Sequence, residues 1–319
     1  MSSLVTSPPL PLVAHAAGAE PSGPLRVVPP QLCAVVTTYR SPRSLRLSLL
    51  ALEREAERTG AVLELIVADD GDLEHQSRGP ALEAARSGRF QRVRRLWQSH
   101  HGYGKVRLAN KAITRAEASL LLYLDGDMLL APGALAVHLR LQRPGRYVAG
   151  HTLRLGRAAS LALTEDDVRR GRFASAGWVL AQALRGQVEA KAHYAPLRAL
   201  GLGPLLRKRG SGGFNGGCSS LPKALLESVN GWDEALPGYG FDDTDLGHRL
   251  QNLGVEPVDA RLEALTVHLW HERPYRGDDA SYQRKYEKVA ASLHGQQVRA
   301  ERGLAEQGPD DPGEWEELR

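Results

Sequence analysis

Residues 120–127, Leu-Leu-Leu-Tyr-Leu-Asp-Gly-Asp, decide the predicted fold of this chain. Five apolar residues in a row are typical of a strand buried on both faces of a parallel sheet. Similar runs lie upstream at 32–37, 63–68 and 93–97, and segments with helical spacing of apolar residues separate them. This alternation of strand and helix predicts a right-handed βαβ arrangement around a mostly parallel sheet.

Polar residues gather where three of these strands end. Thr37 ends the first strand, Asp70 ends the second, and Asp125 and Asp127 follow the fourth. Ligands of open α/β sheets bind at the carboxyl ends of the strands. We therefore expect these side chains to border one cleft.

Asp125 and Asp127 are candidate metal ligands. Residues two apart on an extended backbone point to the same side, and Gly126 between them permits the close approach of a ligand. Two such carboxylates bind Mg²⁺ or Mn²⁺, with diphosphate oxygens completing the coordination shell. The alternative is a plain turn, in which Asp and Gly are also common; the position at the end of a buried strand favours the metal site.

His268 and His271 follow a predicted strand at 264–267. One of them is a candidate for the third protein ligand of the metal. A structural role for both histidines is the alternative.

The segment 101–111, which begins with His101, brings Gly, Lys and Arg to a predicted helix start. This arrangement suits the binding of phosphates. The alternative interpretation is a solvated basic face of the helix.

Asp242, Asp243 and Asp245 begin a predicted helix that Gly254 ends. Caps and helix-dipole partners explain one or two of these acids. The remaining acid is a candidate general base that would deprotonate an acceptor hydroxyl attacking the anomeric carbon of a sugar.

Composition narrows the class of protein. The chain has 319 residues and a net charge of +4, enough for one large α/β domain. No apolar stretch reaches the length of a membrane-spanning helix. Cys33 and Cys218 are predicted to be buried reduced thiols, which favours the cytoplasm. The basic excess leaves open a peripheral association with the inner face of the membrane.

Taken in order, these motifs resemble the family 2 glycosyltransferases of the GT-A fold. The matching segments are 35–40, 67–71, 102–110 and 124–128. Later segments resemble the galactosyltransferase-type carboxyl half that bacterial chondroitin polymerases share with animal β4-galactosyltransferases; they are Gly216-Gly217, 230–234, Asp242-Asp243 and His268. The resemblance covers roughly residues 31–275 and implies an α/β fold of the GT-A, Rossmann-like type. Its mostly parallel central sheet would be flanked by helices, with a smaller mixed region on the acceptor side.

The resemblance also implies roles for individual residues. On the donor side, Thr37, Tyr39 and Asp70 would line the nucleotide base and ribose, Lys105 would lie near the base or phosphates, and Asp125 would contact ribose or metal. Asp127 would bind Mn²⁺ or Mg²⁺, with His268 (His271 is the second choice) as the other protein ligand. Gly216, Gly217 and Trp232 would border the donor sugar and the acceptor.

The implied mechanism is a single inverting displacement of the hexosyltransferase type. Asp243 would be the catalytic base and Asp242 would bind acceptor hydroxyls. The usual Gly-Gly-Glu-Asp of the family is replaced here by Gly240-Phe241-Asp242-Asp243, so Asp242 and Asp245 stay open as the base.

A retaining transferase, a sugar nucleotidyltransferase and a non-catalytic binding module are the alternatives to an inverting transferase. A nucleotidyltransferase would have a Gly-rich basic loop directly after the first strand, where this chain has Tyr39-Arg-Ser-Pro.

We therefore divide the chain into four parts. Residues 1–30 are a Pro- and Ala-rich leader predicted to be disordered, 31–128 the nucleotide-sugar-binding half, 129–275 the acceptor-binding and catalytic half, and 276–319 a helix and a polar tail. Residues 201–217, rich in glycine and basic residues, are predicted to form a mobile loop.

The expected partners are a nucleotide-sugar donor, with UDP favoured, and a glycan, lipid-linked or peptide acceptor in polysaccharide biosynthesis. We expect no nucleic acid as a partner, and the oligomeric state stays open.

Overall fold

The computed structural model describes residues 30–71, 76–100, 102–210, 213–236, 238–272, 279–308 and 313–319. The leader predicted at 1–30, apart from its last residue, and His101 lie outside these ranges. The strands are β1 Leu32–Thr38, β2 Leu63–Asp70, β3 Arg92–Gln98, β4 Leu120–Asp125, β5 Met128–Leu130, β6 Arg146–Ala149, β7 His151–Leu155, β8 Val188–Ala190, β9 Lys208–Arg209, β10 Cys218–Pro222, β11 Glu256–Asp259, β12 Leu265–His268 and β13 Glu314–Glu317. The α-helices are α1 Pro42–Thr59, α2 Arg78–Ser87, α3 Lys105–Arg115, α4 Ala134–Leu141, α5 Arg157–Ala162, α6 Glu165–Arg169, α7 Ala176–Leu184, α8 Tyr194–Ala199, α9 Gly203–Leu206, α10 Lys223–Ser228, α11 Asp242–Asn252 and α12 Asp279–His294.

A nine-stranded sheet in the order β13-β3-β2-β1-β4-β10-β6-β11-β9 forms the centre of the molecule. Its middle strands β3, β2, β1 and β4 are mutually parallel, whereas β10 is antiparallel to both of its neighbours. Alternate residues of β1 enter two different cores, one formed with α1 and α2 and the other with α3 and α11. The predicted α/β class, with a central sheet flanked by helices, is confirmed.

A second sheet of four strands, in the order β5-β12-β7-β8, positions one wall of the site. The strands β5 and β12 are antiparallel, and Met128 is registered opposite His268. Because Asp127 immediately precedes β5, this register brings the end of the Asp125-Gly-Asp127 motif beside the carboxyl end of β12. The pairing joins residues about 140 positions apart in sequence.

The C-terminal segment differs from the predicted polar tail. Residues 314–317 form β13, which adds an antiparallel edge strand to β3. Arg94 of β3 lies 3.0 Å from Glu317, and the Arg95 side chain, almost fully buried, lies 3.6 Å from Glu316. The charged side chains of this segment pair across two strands, and β13 covers the edge of β3.

The stretch 201–217, predicted to be a loop, contains α9 and β9, and β9 pairs with β11 at Asp259. Its residues 211–212 lie outside the described part. Within the described residues, no helix combines the length and the apolar character needed to cross a membrane.

Candidate active site

A cavity of about 400 Å³ opens where β1, β2 and β4 end. The residues that line it come from the three strand ends, from the start of α3 and from the segment after β12; they are Thr37, Thr38, Tyr39, Arg40, Ser41, Asp70, Tyr103, Lys105, Asp125, Gly126, Asp127, Tyr239, His268, His271 and Glu272. The expected convergence of strand-end side chains in one cleft is therefore observed.

Asp70, at the end of β2, is fixed by two donors. Its Oδ1 accepts a hydrogen bond from Gln98 Nε2 at 2.8 Å, and its Oδ2 accepts one from the Gly104 amide at 2.6 Å. Gly104 precedes α3, so the carboxylate ties the start of this helix to the sheet. The Tyr39 ring packs at a tilt against the His100 ring across the same corner, with 4.7 Å between the ring centroids.

Asp125 is held in its ionised form by a cation and a hydroxyl. Lys105 Nζ lies 2.6 Å from Asp125 Oδ1, and Thr37 Oγ1 donates a hydrogen bond to the same oxygen at 2.9 Å. Burial acts to raise the pKa of Asp125, but the Lys105 charge and the hydrogen bonds from Lys105 and Thr37 outweigh it and lower that pKa. The adjacent Gly126 amide donates to the Thr37 carbonyl at 2.7 Å, which fixes the turn.

Asp127, His268 and His271 form a cluster of potential metal ligands. One ligand atom from each lies within 4.8 Å of the others. Asp127 Oδ2 is 3.3 Å from His271 Nε2 and 3.7 Å from His268 Nε2. His271 Nδ1 is 2.7 Å from the Glu272 carbonyl, which can only accept, so this ring nitrogen donates. In the neutral ring, Nε2 then keeps its lone pair and faces Asp127.

The chemistry of this cluster fits a divalent cation. Asp127 Oδ1 is buried and accepts no hydrogen bond from another described residue. Burial and then the charge of Asp125 raise the pKa of Asp127 to about 6. A carboxylate and two imidazoles around an unsatisfied buried oxygen are ligand types that divalent cations accept.

Asp243 approaches this part of the cleft from α11. A Cβ on Gly216 would collide with the Asp243 carboxylate, and a Cβ on Gly217 would lie 3.1 Å from Asp125 Oδ2. Two consecutive glycines therefore let α11 and the end of β4 come close together. Burial and then the neighbouring Asp242 charge raise the pKa of Asp243 to about 7.

The other two acids of α11 have different surroundings. Asp242 Oδ2 accepts a hydrogen bond from the Tyr103 hydroxyl at 3.1 Å, so it faces the cleft wall. Asp245 is buried and lies 2.8 Å from Arg249 Nε. Arg249 in turn donates to the carbonyls of Val229 and Gly231. This pair joins α11 to the preceding turn and points away from the cleft.

Trp232 is placed in the core and not on the cleft wall. It is 3 % exposed and packs edge-on against Tyr123 and Phe214. Tyr103, Tyr239 and Arg40 line the cleft without having been predicted as site residues. Tyr103 lies within the segment 101–111, so the only sequence signal for it was its place between two glycines at a helix start.

Comparisons with known proteins agree with this geometry. The family described as Glycosyl transferase family 2 matches residues 33–157, and the N-terminal domain of galactosyltransferase matches residues 201–272. No curated protein sequence matches the chain. Among solved structures, the chain is similar to the mannosyltransferase PcManGT from Pyrobaculum calidifontis in complex with GDP-Man and Mn²⁺, at 15 % identity and a TM-score of 0.50 over 88 % of this chain and 69 % of that one.

The structural likeness confirms the GT-A-type fold, and the two family matches fall on the segments that carry the sequence resemblance. Their order along the chain is also the expected one. The chain thus has a GT-A-type fold in which residues 33–157 are similar to the family 2 glycosyltransferases and residues 201–272 to the N-terminal domain of galactosyltransferase.

Proposed function

We propose that this protein is an inverting, metal-assisted hexosyltransferase that uses a nucleotide diphosphate sugar and a hydroxyl-bearing acceptor. One observation carries the proposal. Residues 125–127, His268 and His271 line one cleft at the carboxyl ends of the central strands, and Asp243 of α11 lies against Gly216 within electrostatic range of Asp125 and Lys105. The neighbour solved with GDP-Man and Mn²⁺ supports a donor and a cation of these classes. UDP is favoured here because it is the usual nucleotide of the resembling families.

The donor side of the cleft is suited to a nucleotide. Tyr39 offers a ring for stacking on a base, and Asp70 keeps lone pairs for the N–H of a base or the hydroxyls of a ribose beyond the two donors that orient it. Lys105 supplies positive charge beside Asp125 for a diphosphate. These contacts would hold the donor with its diphosphate directed toward Asp127.

Asp127, His268 and His271 would hold the divalent cation, with Asp125 close by. A bound cation of this kind stabilises the negative charge that develops on the departing diphosphate. The protein residues supply a fixed arrangement of charges around the leaving group. The contacts of Asp125 with Lys105 and Thr37 fix part of that arrangement.

Asp243 is the proposed general base. In the displacement, the acceptor oxygen forms a bond to the anomeric carbon while the bond from that carbon to the diphosphate oxygen breaks on the opposite side. The acceptor proton passes to Asp243, whose pKa near 7 suits proton transfer at neutral pH. Asp245 is engaged with Arg249 away from the cleft, which leaves Asp242 as the orienting partner for acceptor hydroxyls.

The acceptor in this proposal is a glycan, a lipid-linked sugar or a peptide, and the two buried unpaired cysteines support a reducing compartment, the cytoplasm. Thermal unfolding with a panel of UDP, GDP and dTDP sugars, each with and without Mn²⁺, tests the donor. A specific donor should raise the unfolding temperature by mass action only with the metal present. The anomeric configuration of the product, read by NMR, then tests inversion; retention of configuration, or release of pyrophosphate from NTP and sugar phosphate, would contradict the proposal.

A further inference from the structure

Two short helices beside the cleft expose large apolar side chains. On α7, Leu180 is 55 % exposed and Leu184 is 84 % exposed, and their spacing of four residues places them on one face of the helix. On α5, Leu161 is 61 % exposed. A soluble surface seldom exposes several large leucines this fully on adjacent elements.

The two helices form one continuous surface. Gln187 follows α7, and its side-chain oxygen accepts hydrogen bonds from the amides of Ala158 and Ala159 at 2.9 and 3.2 Å. The Gln187 carbonyl accepts a further hydrogen bond from Gly156 at 2.8 Å. The carboxyl end of α7 is therefore attached to the first turn of α5.

The same surface reaches the edge of the active cleft. Ser160 of α5 accepts a hydrogen bond from the Trp270 amide at 2.8 Å, and the Arg157 guanidinium lies over the Trp270 ring at 5.0 Å. Trp270 lies between His268 and His271, which line the cleft. A partner that binds to α5 and α7 is therefore close to the potential metal ligands Asp127, His268 and His271.

The surface carries positive charge beside its leucines. Between residues 154 and 190 there are six arginines against four acidic residues, and Arg169, Arg170 and Arg172 pair with the acids of α6. Arg185, directly after Leu184, is exposed and forms no ion pair with any side chain that the structure describes. Arg157 is exposed as well, one helical turn from Leu161.

We propose that Leu161, Leu180 and Leu184, with Arg157 and Arg185, form a docking surface for an anionic lipid bilayer, hereafter the leucine face. Exposed leucines interleaved with arginines match the apolar boundary and the negative headgroups of such a membrane. A second copy of this chain fits less well, because it would bring the exposed Arg157 and Arg185 of one copy close to those of the other. Docking by this face would hold the cleft beside the bilayer, where acceptors that carry a lipid are found.

Co-sedimentation of the full chain with vesicles tests this inference. The wild-type protein should sediment with vesicles of mixed phosphatidylglycerol and phosphatidylcholine, and much less with vesicles of phosphatidylcholine alone or at high salt. Arg185→Glu should weaken binding by roughly tenfold or more, since it reverses one charge at the membrane surface. Leu184→Gln and Leu180→Gln should each weaken it as well; they are independent variants of exposed positions.

Matched controls lie elsewhere on the molecule. Arg86→Glu makes the same charge change at an exposed position of α2, and Leu253→Gln changes a leucine that is 41 % exposed at the end of α11. Both should bind vesicles as the wild type does. Unfolding temperatures of all variants confirm that the fold is kept.

Three results would overturn the inference. They are a wild-type protein that ignores anionic vesicles, leucine-face variants that bind as tightly as the controls, and a wild-type dimer that only the leucine-face variants dissociate. The assay measures binding without turnover, so its outcome is separate from that of the proposed glycosyl transfer.

Discussion

The two halves of the cleft satisfy their carboxylates in different ways. On the donor side, Asp70 and Asp125 are each held by two protein donors, and the pKa of Asp125 is lowered by Lys105 and Thr37 despite its burial. On the catalytic side, burial raises the pKa of Asp127 to about 6 and that of Asp243 to about 7. Protein contacts thus satisfy the carboxylates of the donor side, whereas Asp127 and Asp243 each keep one buried oxygen that accepts no hydrogen bond from a described residue.

This difference distinguishes carboxylates that position the donor from carboxylates that take part in the reaction. A carboxylate that the protein already pairs helps to order and select the donor, so the loss of one contact changes donor affinity by a modest factor. A carboxylate that the protein leaves unsatisfied is available to bind a cation or to accept a proton, so its loss should lower turnover by orders of magnitude. We therefore expect variants of Asp127 and Asp243 to lose more activity than variants of the donor side.

Replacing Asp127 should have the largest effect. Asp127→Ala removes the single carboxylate of the cluster with His268 and His271, so metal-dependent release of nucleotide should fall roughly 10³-fold or more. The unfolding temperature should not fall, because the variant removes a buried oxygen without a hydrogen-bond partner. Asp166→Ala, on the exposed helix α6, is the control and should keep full activity; unchanged turnover in Asp127→Ala would remove the metal assignment.

Replacing Asp243 should separate donor binding from transfer. Asp243→Asn keeps the shape of the side chain but cannot take a proton, so turnover should fall by roughly 10²–10⁴-fold while the donor still binds. The variant should also unfold at a higher temperature at pH 8, since it no longer buries a charge there. Asp242→Asn should instead raise the KM for the acceptor, and normal transfer by Asp243→Asn would place the base elsewhere.

The pH dependence of the reaction should report the same group. The pKa of Asp243 is raised to about 7, and the base acts only when deprotonated. The value of kcat/KM should therefore rise with pH through 7 and be about tenfold below its plateau at pH 6. A pH profile that stays flat from pH 5 to 8 in the wild type, or a profile unchanged in Asp243→Asn, would argue against this assignment.

The donor side should respond least. Thr37→Val removes the hydrogen bond to Asp125 without changing the volume of the side chain, so the donor KM should rise by only about fivefold, from a hydrogen bond worth about 1 kcal/mol. A loss of turnover as large as that of Asp127→Ala would erase the contrast between the two sides.

The sequence predicted the parts of the site that depend on local pattern. Buried strands are recognisable in the sequence as apolar runs, and the carboxyl ends of parallel strands lie at the same edge of a sheet. The sequence alone therefore predicts that Asp70, Asp125 and Asp127 border one cleft. The choice of Asp243 and of His268 among their neighbours needed the family resemblance. Asp243 approaches Asp125, and His268 approaches Asp127, through contacts between elements more than 100 residues apart.

Other features could not be predicted because they depend on contacts between residues far apart in the sequence. Trp232 follows a turn that resembles a site motif, yet it packs into a core built from Tyr123 and Phe214. The hydrogen bond from Tyr103 to Asp242 spans 139 positions. The strand β13 depends on the unpaired edge of β3, which exists only once the sheet is formed.

Titration of Mn²⁺ into the protein in the presence of a nucleoside diphosphate, followed by calorimetry, tests the central claim most directly. The wild type should bind one cation per chain, Asp127→Ala should bind none with comparable affinity, and His268→Ala and His271→Ala should show which imidazole completes the site. Equal Mn²⁺ affinity in the wild type and Asp127→Ala would contradict the account.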